Sequence, residues 1–244
     1  MDREIALEGC VNFRDLGGYT AEGGHIRWRT LFRSDALHEL TPADVTAVRS
    51  LNVTTVIDLR SDYERARDGG PHPLSGAVDL IRAPIINENN AHVMGDTSLT
   101  LAQRYARIME TTGTALADAV TAIAEAPGAA VFHCAAGKDR TGMVSAAVLG
   151  TLGVADEDVV ADYAMTGRNL TGIRERLARH AAYRETYAYV PRDAMTADTA
   201  TMADLIADLR ARHGTMKSLL LSQGVPDTII KRLRTSLVAP VPVA

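Results

Sequence analysis

One short stretch fixes more of this chain's architecture than any other: Pro127-Gly128, the apolar run Ala129 to His133, a glycine-bearing loop from Cys134 to Arg140, and the alanine-rich segment Thr141 to Leu152. Proline and glycine stop whatever helix precedes them, so the five residues that follow read as a short strand. The segment after Arg140 reads as a buried helix ended by Gly153. The order strand, loop, helix presents the loop at a helix N-terminus, which makes that junction the first place to look for chemistry.

The rest of the chain is organised around that unit. Gly17, Gly18, Gly23 and Gly24 bracket a segment leading to His25–Arg33, which predicts hairpin strands joined by a glycine turn. Thr41, Pro42 and Asp44 start a helix running to about Leu51. The β-branched run Val53 to Leu59 predicts a buried strand, Val78 to Ala83 a weaker one, and a charged turn or helix lies between them. Residues 86–100, rich in Asn, Asp and Gly, predict a mobile loop. Helices are expected over 101–111 and 114–126. From Asp156 onward only helical signals are present, over 157–166, 169–187, 195–212, 216–223 and 226–237, with a frayed Pro-Val tail from Ala239. Neither a repeat nor a low-complexity tract is evident.

Bulk properties narrow the function. At 244 residues the chain suits one domain over 1–244, read as a core over about 5–170 and a helical extension over about 156–238. A net charge of -4 argues against a general nucleic-acid partner, so any anion site must be local. Cys10 and Cys134 are too far apart in sequence for a metal-type spacing or a disulfide framework, which favours a reducing compartment. The charged N-terminal decapeptide and the lack of a run near ~20 apolar residues predict a cytoplasmic protein with no stable membrane insertion, although export without a leader would leave no trace.

The loop His133-Cys134-Ala135-Ala136-Gly137-Lys138-Asp139-Arg140-Thr141 suits a phosphate dianion. Backbone N–H groups of residues 135 to 140 can converge on phosphate oxygens above the positive end of the helix. Glycine permits the bend, and Arg140 supplies a planar two-pronged donor that lysine does not reproduce. The same dipoles favour a thiolate, making Cys134 the candidate nucleophile. His133 is expected to orient the loop, and the Thr141 hydroxyl to hydrogen-bond the sulfur. Lys138 is either solvated or a contact to extra phosphates. A proton donor is also needed, and Asp139 inside the loop and Asp58 at the end of the first buried strand are equal candidates, with Asp96 third. Asp58 and Arg60 also suit a structural ion pair, and Asn12, Arg14 and Asp15 a hydrogen-bond network supporting the loop rather than touching substrate. Gly137-Lys138 does not make a nucleotide-binding loop, because the required upstream glycine position holds Phe132 and Asp139 follows where Ser or Thr is needed. The histidines at 25, 38, 72, 92, 180 and 213 show no metal-ligand spacing, so no metal site is expected.

The decapeptide resembles the phosphate loop of the cysteine-dependent protein tyrosine phosphatases, which share His-Cys, five residues, Arg and then Ser or Thr. The Lys138-Asp139 pair is similar to the bacterial version that acts on phosphotyrosine and phosphoinositides. Asn12-Phe13-Arg14-Asp15-Leu16-Gly17-Gly18-Tyr19, Leu31-Phe32-Arg33-Ser34 and Ile57-Asp58-Leu59-Arg60 fit the same group. The resemblance implies an α/β fold with a central mixed sheet flanked by helices and a C-terminal helical extension or lid. It further implies a hydrolase that takes phosphorylated protein or phosphoinositide as substrate and phosphate ion as ligand, with no cofactor. The tryptophan-bearing acid loop of the eukaryotic enzymes is missing, since Trp28 is the single tryptophan and no Pro-Asp follows it. A catalytically weak phosphate-binding pseudophosphatase and a rhodanese-like sulfur transferase are the alternative readings, the latter disfavoured by Asp139-Arg140-Thr141.

Overall fold

The computed structural model describes residues 2–67, 72–180, 183 and 195–241. Eight strands are present among them: β1 (Arg14–Asp15), β2 (Thr20–Ala21), β3 (Gly24–Ile26), β4 (Leu31–Ser34), β5 (Val53–Asp58), β6 (Asp79–Arg82), β7 (Ala129–His133) and β8 (Val238–Pro240). The helices are α1 (Pro42–Ser50), α2 (Asp62–Arg65), α3 (Ala91–Met94), α4 (Leu101–Glu110), α5 (Ala115–Glu125), α6 (Asp139–Thr151), α7 (Asp156–Leu177), α8 (Thr199–His213), α9 (Met216–Ser222) and α10 (Asp227–Leu237).

The main sheet runs β1-β4-β7-β5-β6, parallel except where β1 pairs antiparallel with β4, so the mixed central sheet flanked by helices is what forms. β7 lies at its centre, and all five of its residues are buried. Alternation along a strand sends successive side chains to opposite faces. Accordingly Ala130 and Phe132 join the larger core under the helices, whereas Ala129 and Val131 join the smaller core with Phe13, Phe32 and Val48. In β5 a register shift between Val53 and Thr55 resets this alternation, which is why Val53 and Val56 share the smaller core although three residues apart. Ser34, His133, Asp58 and Arg82 fall opposite one another, so the parallel strands all end at one edge. In open α/β sheets ligands bind outside that carboxyl edge, and Cys134 emerges there from the middle strand.

Local chemistry explains the helix starts. Thr41 and Asp44 form a reciprocal capping box at α1, and Asp44 additionally accepts from the backbone N–H groups of Glu8 and Gly9. Ser61 and Glu64 form another at α2, and Thr100 and Gln103 a third at α4.

Three expectations are corrected. The polar stretch 86–100 is not a bare loop: it contains α3, and the fully buried Asn90 staples it by donating to the carbonyls of Ile85 and Thr111. Asn-rich sequence reads as loop, but a buried amide with both donors satisfied orders it. The two helices expected at 157–166 and from 169 merge into the single 22-residue α7, which runs through Gly167 without a break. Residues 178–180 follow that helix, whereas 181, 182 and 184–187 of the expected span lie outside the described residues. Finally, the region after Asp156 is not wholly helical, since β8 pairs with β3 in a sheet ordered β2-β3-β8, and Ala239 and Pro240 belong to it. An edge strand ending in proline carries little sequence signal. Among the described residues no helix is long and apolar enough to cross a membrane.

Candidate active site

The loop after β7 is shaped by what its carbonyls bind. The Asn12 Nδ2 amide donates to the carbonyls of Ala136 and Gly137, both at 3.2 Å, and Arg33 Nη2 donates to Gly137 O at 2.8 Å. The backbone N–H of Ala36 donates to Ala135 O at 3.1 Å, and His133 Nδ1 to Cys134 O at 3.2 Å. In a trans peptide the carbonyl of one residue and the N–H of the next point in opposite directions. With the carbonyls of residues 134–137 tied to the surrounding scaffold, the N–H groups of residues 135–138 face the other way, where an anion can sit. Gly137 has φ +65°, and a Cβ there would lie 2.6 Å from the backbone of Ser34 and Asp35, so only glycine fits the bend.

Behind the loop stands a buried charge cluster. Asp162, on α7, accepts from Arg14 Nε at 2.9 Å and from Arg33 Nη1, while Arg14 Nη1 donates to Asn12 Oδ1 at 2.6 Å. All four side chains are essentially excluded from solvent. Burial raises the Asp162 pKa, but the two guanidiniums outweigh it and hold the carboxyl below its usual range. Asn12 and Arg14 therefore touch the loop and its supports. Asp15 does not: its carboxylate caps the turn by accepting from the N–H groups of Gly17 and Arg29.

The loop and the first turn of α6 floor a cavity of about 310 Å³. Ala135, Ala136, Lys138, Asp139 and Arg140 line its base; Ile86, Ala91, Met94, Leu170 and Ile173 supply apolar walls, joined by Tyr63 and Tyr183. Cys134 itself is 1% exposed, buried at the start of the loop. Arg140 is gripped by Glu64, with Nη1 to Oε2 at 2.5 Å and Nη2 to Oε1 at 2.8 Å. Burial opposes the charged guanidinium, and the Glu64 carboxylate overcomes it, raising the Arg140 pKa. Two of five donors are used in this pair, which leaves the guanidinium oriented and still able to donate.

The two carboxylates proposed as proton donors occupy different settings. Asp58 is not among the residues lining the cavity; Arg60 holds it through Nη2 at 2.7 Å, Nε and the backbone N–H, and Arg65 approaches to 3.5 Å. Burial raises its pKa, but the Arg60 guanidinium and backbone N–H more than reverse this and keep it ionised. Asp139 lines the cavity, accepts from Tyr105 Oη, and lies 3.0 Å from Lys138 Nζ. Lys138 is not solvated as a loose surface charge, since it is 2% exposed and donates to Thr196 O at 2.9 Å. Asp96 is half-buried and bonded to Ser98, and is not among the residues lining the cavity. His133 is fully buried, and burial lowers its pKa to about 3, so its ring is neutral and donates through Nδ1. The Thr141 hydroxyl finds no hydrogen-bond partner among the described residues, the expected one to the Cys134 sulfur included; it sits inside the first turn of α6, wholly buried.

Glu64, Asp162, Arg33 and Tyr105 escaped the sequence reading as site residues. Glu64 had a usable signal, Ser61 three residues before it, but that pattern announces a helix start rather than an arginine partner. Asp162 lies within α7, flanked by Val159, Val160, Ala161, Tyr163 and Ala164, and nothing in that local sequence names the two arginines it meets.

A match to the tyrosine phosphatase family covers residues 5–239. The chain belongs to the tyrosine phosphatase family. Within it, the chain is 27% identical to the triple specificity protein phosphatase PtpB of Mycobacterium tuberculosis over 93% of this chain and 96% of that one. It is 30% identical to a protein of Cupriavidus necator that carries a provisional tyrosine-protein phosphatase name, over 73% of this chain and 68% of that one. A tyrosine-protein phosphatase of Nostoc commune shares 27% identity over 84% of this chain. For this tyrosine phosphatase the family match reaches past α7 through α8, α9 and α10 to β8, so the later helices belong to the matched region as much as the loop does.

Proposed function

We propose that this chain hydrolyses phosphotyrosine through a phosphocysteine formed on Cys134. The observation that carries the reading is the loop itself: four carbonyls tied outward, the intervening N–H groups turned to a cavity floored by Arg140, and a cysteine at its start. Cys134 attacks phosphorus as the ester P–O bond breaks, and the loop amides with Arg140 hold the equatorial oxygens. Water then cleaves the P–S bond and releases phosphate. Between the two candidate acids, the surroundings favour Asp139, which faces the cavity with one oxygen engaged by Tyr105. Asp58 is committed to Arg60. Asn12, Arg14, His133 and Arg60 act as positioning residues. The apolar walls suit a phenyl ring, and the name of the Mycobacterium relative, triple specificity, supports phosphoserine, phosphothreonine or phosphoinositide as further substrate classes. Two unpaired cysteines fit a reducing, cytoplasmic setting. One catalytic domain with α7 forming a wall or lid over the cavity fits the lining residues Leu170, Ile173 and Arg174.

The test is turnover of p-nitrophenyl phosphate in the presence of chelator, followed by kcat/KM on phosphotyrosine, phosphoserine and phosphothreonine peptides and on phosphoinositides. Activity is expected without metal and abolished in Cys134→Ser. Full activity in that variant defeats the proposal, and phosphopeptide binding without phosphate release would instead establish a pseudophosphatase.

A further inference from the structure

Three ligand atoms from distant parts of the chain meet outside the catalytic loop. His38 and Glu39 follow β4, and His180 lies three residues beyond α7; one ring nitrogen from each histidine and one carboxylate oxygen fall within 4.8 Å of one another. His38 Nε2 and His180 Nε2 are 3.2 Å apart, and His180 Nε2 is 2.8 Å from Glu39 Oε1. We propose that His38, Glu39 and His180 form a binding site for a divalent transition-metal ion, with Zn²⁺ the best fit.

One hydrogen bond accounts for the His180–Glu39 distance but not also for the close approach of the two ring nitrogens. His180 Nε2 carries at most one hydrogen, which would have to serve both a carboxylate oxygen and a facing ring nitrogen. If that hydrogen is absent, its lone pair faces the carboxylate. A cation satisfies all three contacts together. Two Zn–N bonds of about 2.0–2.1 Å at the tetrahedral angle place their nitrogens ~3.3 Å apart, close to the separation seen. Two imidazoles and a carboxylate make a borderline donor set suited to zinc, with a fourth position left for water.

The carboxylate is also aimed. Glu39 Oε2 accepts from Arg176 Nε at 3.0 Å, and Arg176 is itself buried, bonded to Asp35 and donating to Ala36 O at 3.0 Å. Such outer partners fix ligand orientation in metal sites. This pins Oε2 and leaves Oε1 toward the histidines. The site would tie the end of α7, which lines the catalytic cavity, to the segment after β4. His180 stands edge-on to the cavity residue Tyr183, ring centroids 6.3 Å apart, so occupancy would stiffen one wall of the cavity.

The experiment uses the full chain carrying Cys134→Ser, so that the loop cysteine does not compete for metal. Titration with Co²⁺ should give visible d–d absorption of a low-coordinate N/O site at one ion per chain, displaced by Zn²⁺. His38→Gln and His180→Gln should each weaken Zn²⁺ binding by about 100-fold or more, beyond the loss typical of outer-shell changes. Zn²⁺ should raise the Tm of the parent and leave that of His38→Gln unmoved. Absence of stoichiometric binding in the parent, or unchanged affinity in His38→Gln, overturns the proposal. Should His180→Gln not fold, His38→Gln and Glu39→Gln decide the matter. The Cys134→Ser background keeps this result independent of whether the catalytic reading holds.

Discussion

Asp162→Asn tests whether the phosphate loop is held from behind by one acid. The substitution keeps side-chain size but removes the charge that two buried guanidiniums share: Arg14 at 2.9 Å through Nε, and Arg33 through Nη1, their side chains 1% and 0% exposed. Leaving a buried charge without its partner typically costs about 3–5 kcal/mol. For a chain of this length each kcal/mol moves Tm by about 2–4 °C, so a fall of roughly 6–20 °C is expected. Urea unfolding should show a lower midpoint at unchanged m. Arg33 also donates to Gly137 O, and Arg14 to Asn12, whose amide holds the same carbonyl, so the variant should lose kcat/KM even at temperatures where it stays folded. The aim of the loop amides would be disturbed, and losing one transition-state donor costs about 10²–10³ in rate. Wild-type midpoint and wild-type kcat/KM together would refute the idea that α7 and the loop are coupled through Asp162.

Asp139→Asn should lower kcat by about 10²–10⁴ on esters with poor leaving groups and less on p-nitrophenyl phosphate, whereas Asp58→Asn should cost mainly stability. Arg140→Lys should lose most kcat/KM despite retaining charge, since a point cation replaces the fork; near-normal kinetics would show that Arg140 does not grip the phosphate. Gly137→Ala should unfold readily or lose phosphate binding, checked by thermal melting and phosphate protection, because its Cβ has no room. His133 has a folded pKa lowered from 6.5 to about 3, so the unfolded state binds the extra proton between those values. Stability should therefore rise with pH through this window and be lost as pH falls from 6.5 toward 3, by up to about 5 kcal/mol; a His133→Asn variant should show a flatter curve in urea titrations at successive pH values.

The strand–loop–helix unit around Cys134 was legible because a strand, a cysteine, a glycine bend and an arginine are contiguous, and local spacing encodes the bend. Capping at Thr41 and Asp44 was legible for the same reason. Tertiary partners were not: Glu64 meets Arg140 across 76 residues and Arg14 meets Asp162 across 148. Asn12 and Arg14 read as loop supports, and both do bond the loop or its neighbours, while Asp15 shares their motif but turns to its own backbone. His38 and His180 looked unrelated for the same cause, since their meeting depends on where α7 ends. Residues 86–100 misled because asparagine content signals exposure, while the burial of Asn90 depends on helices the local sequence does not mention.

The pairing of β8 with β3 bears on the order in which the molecule is made. Ile26, His25 and Gly24 take their partners from Val238, Ala239 and Pro240, and Arg27 donates its N–H to Leu237 O. During synthesis the early hairpin must therefore wait, one edge open, until the chain through Pro240 has left the ribosome. Such an edge invites strand addition from another nascent chain, and the short length of β2 and β3, two and three residues, limits that hazard while they wait.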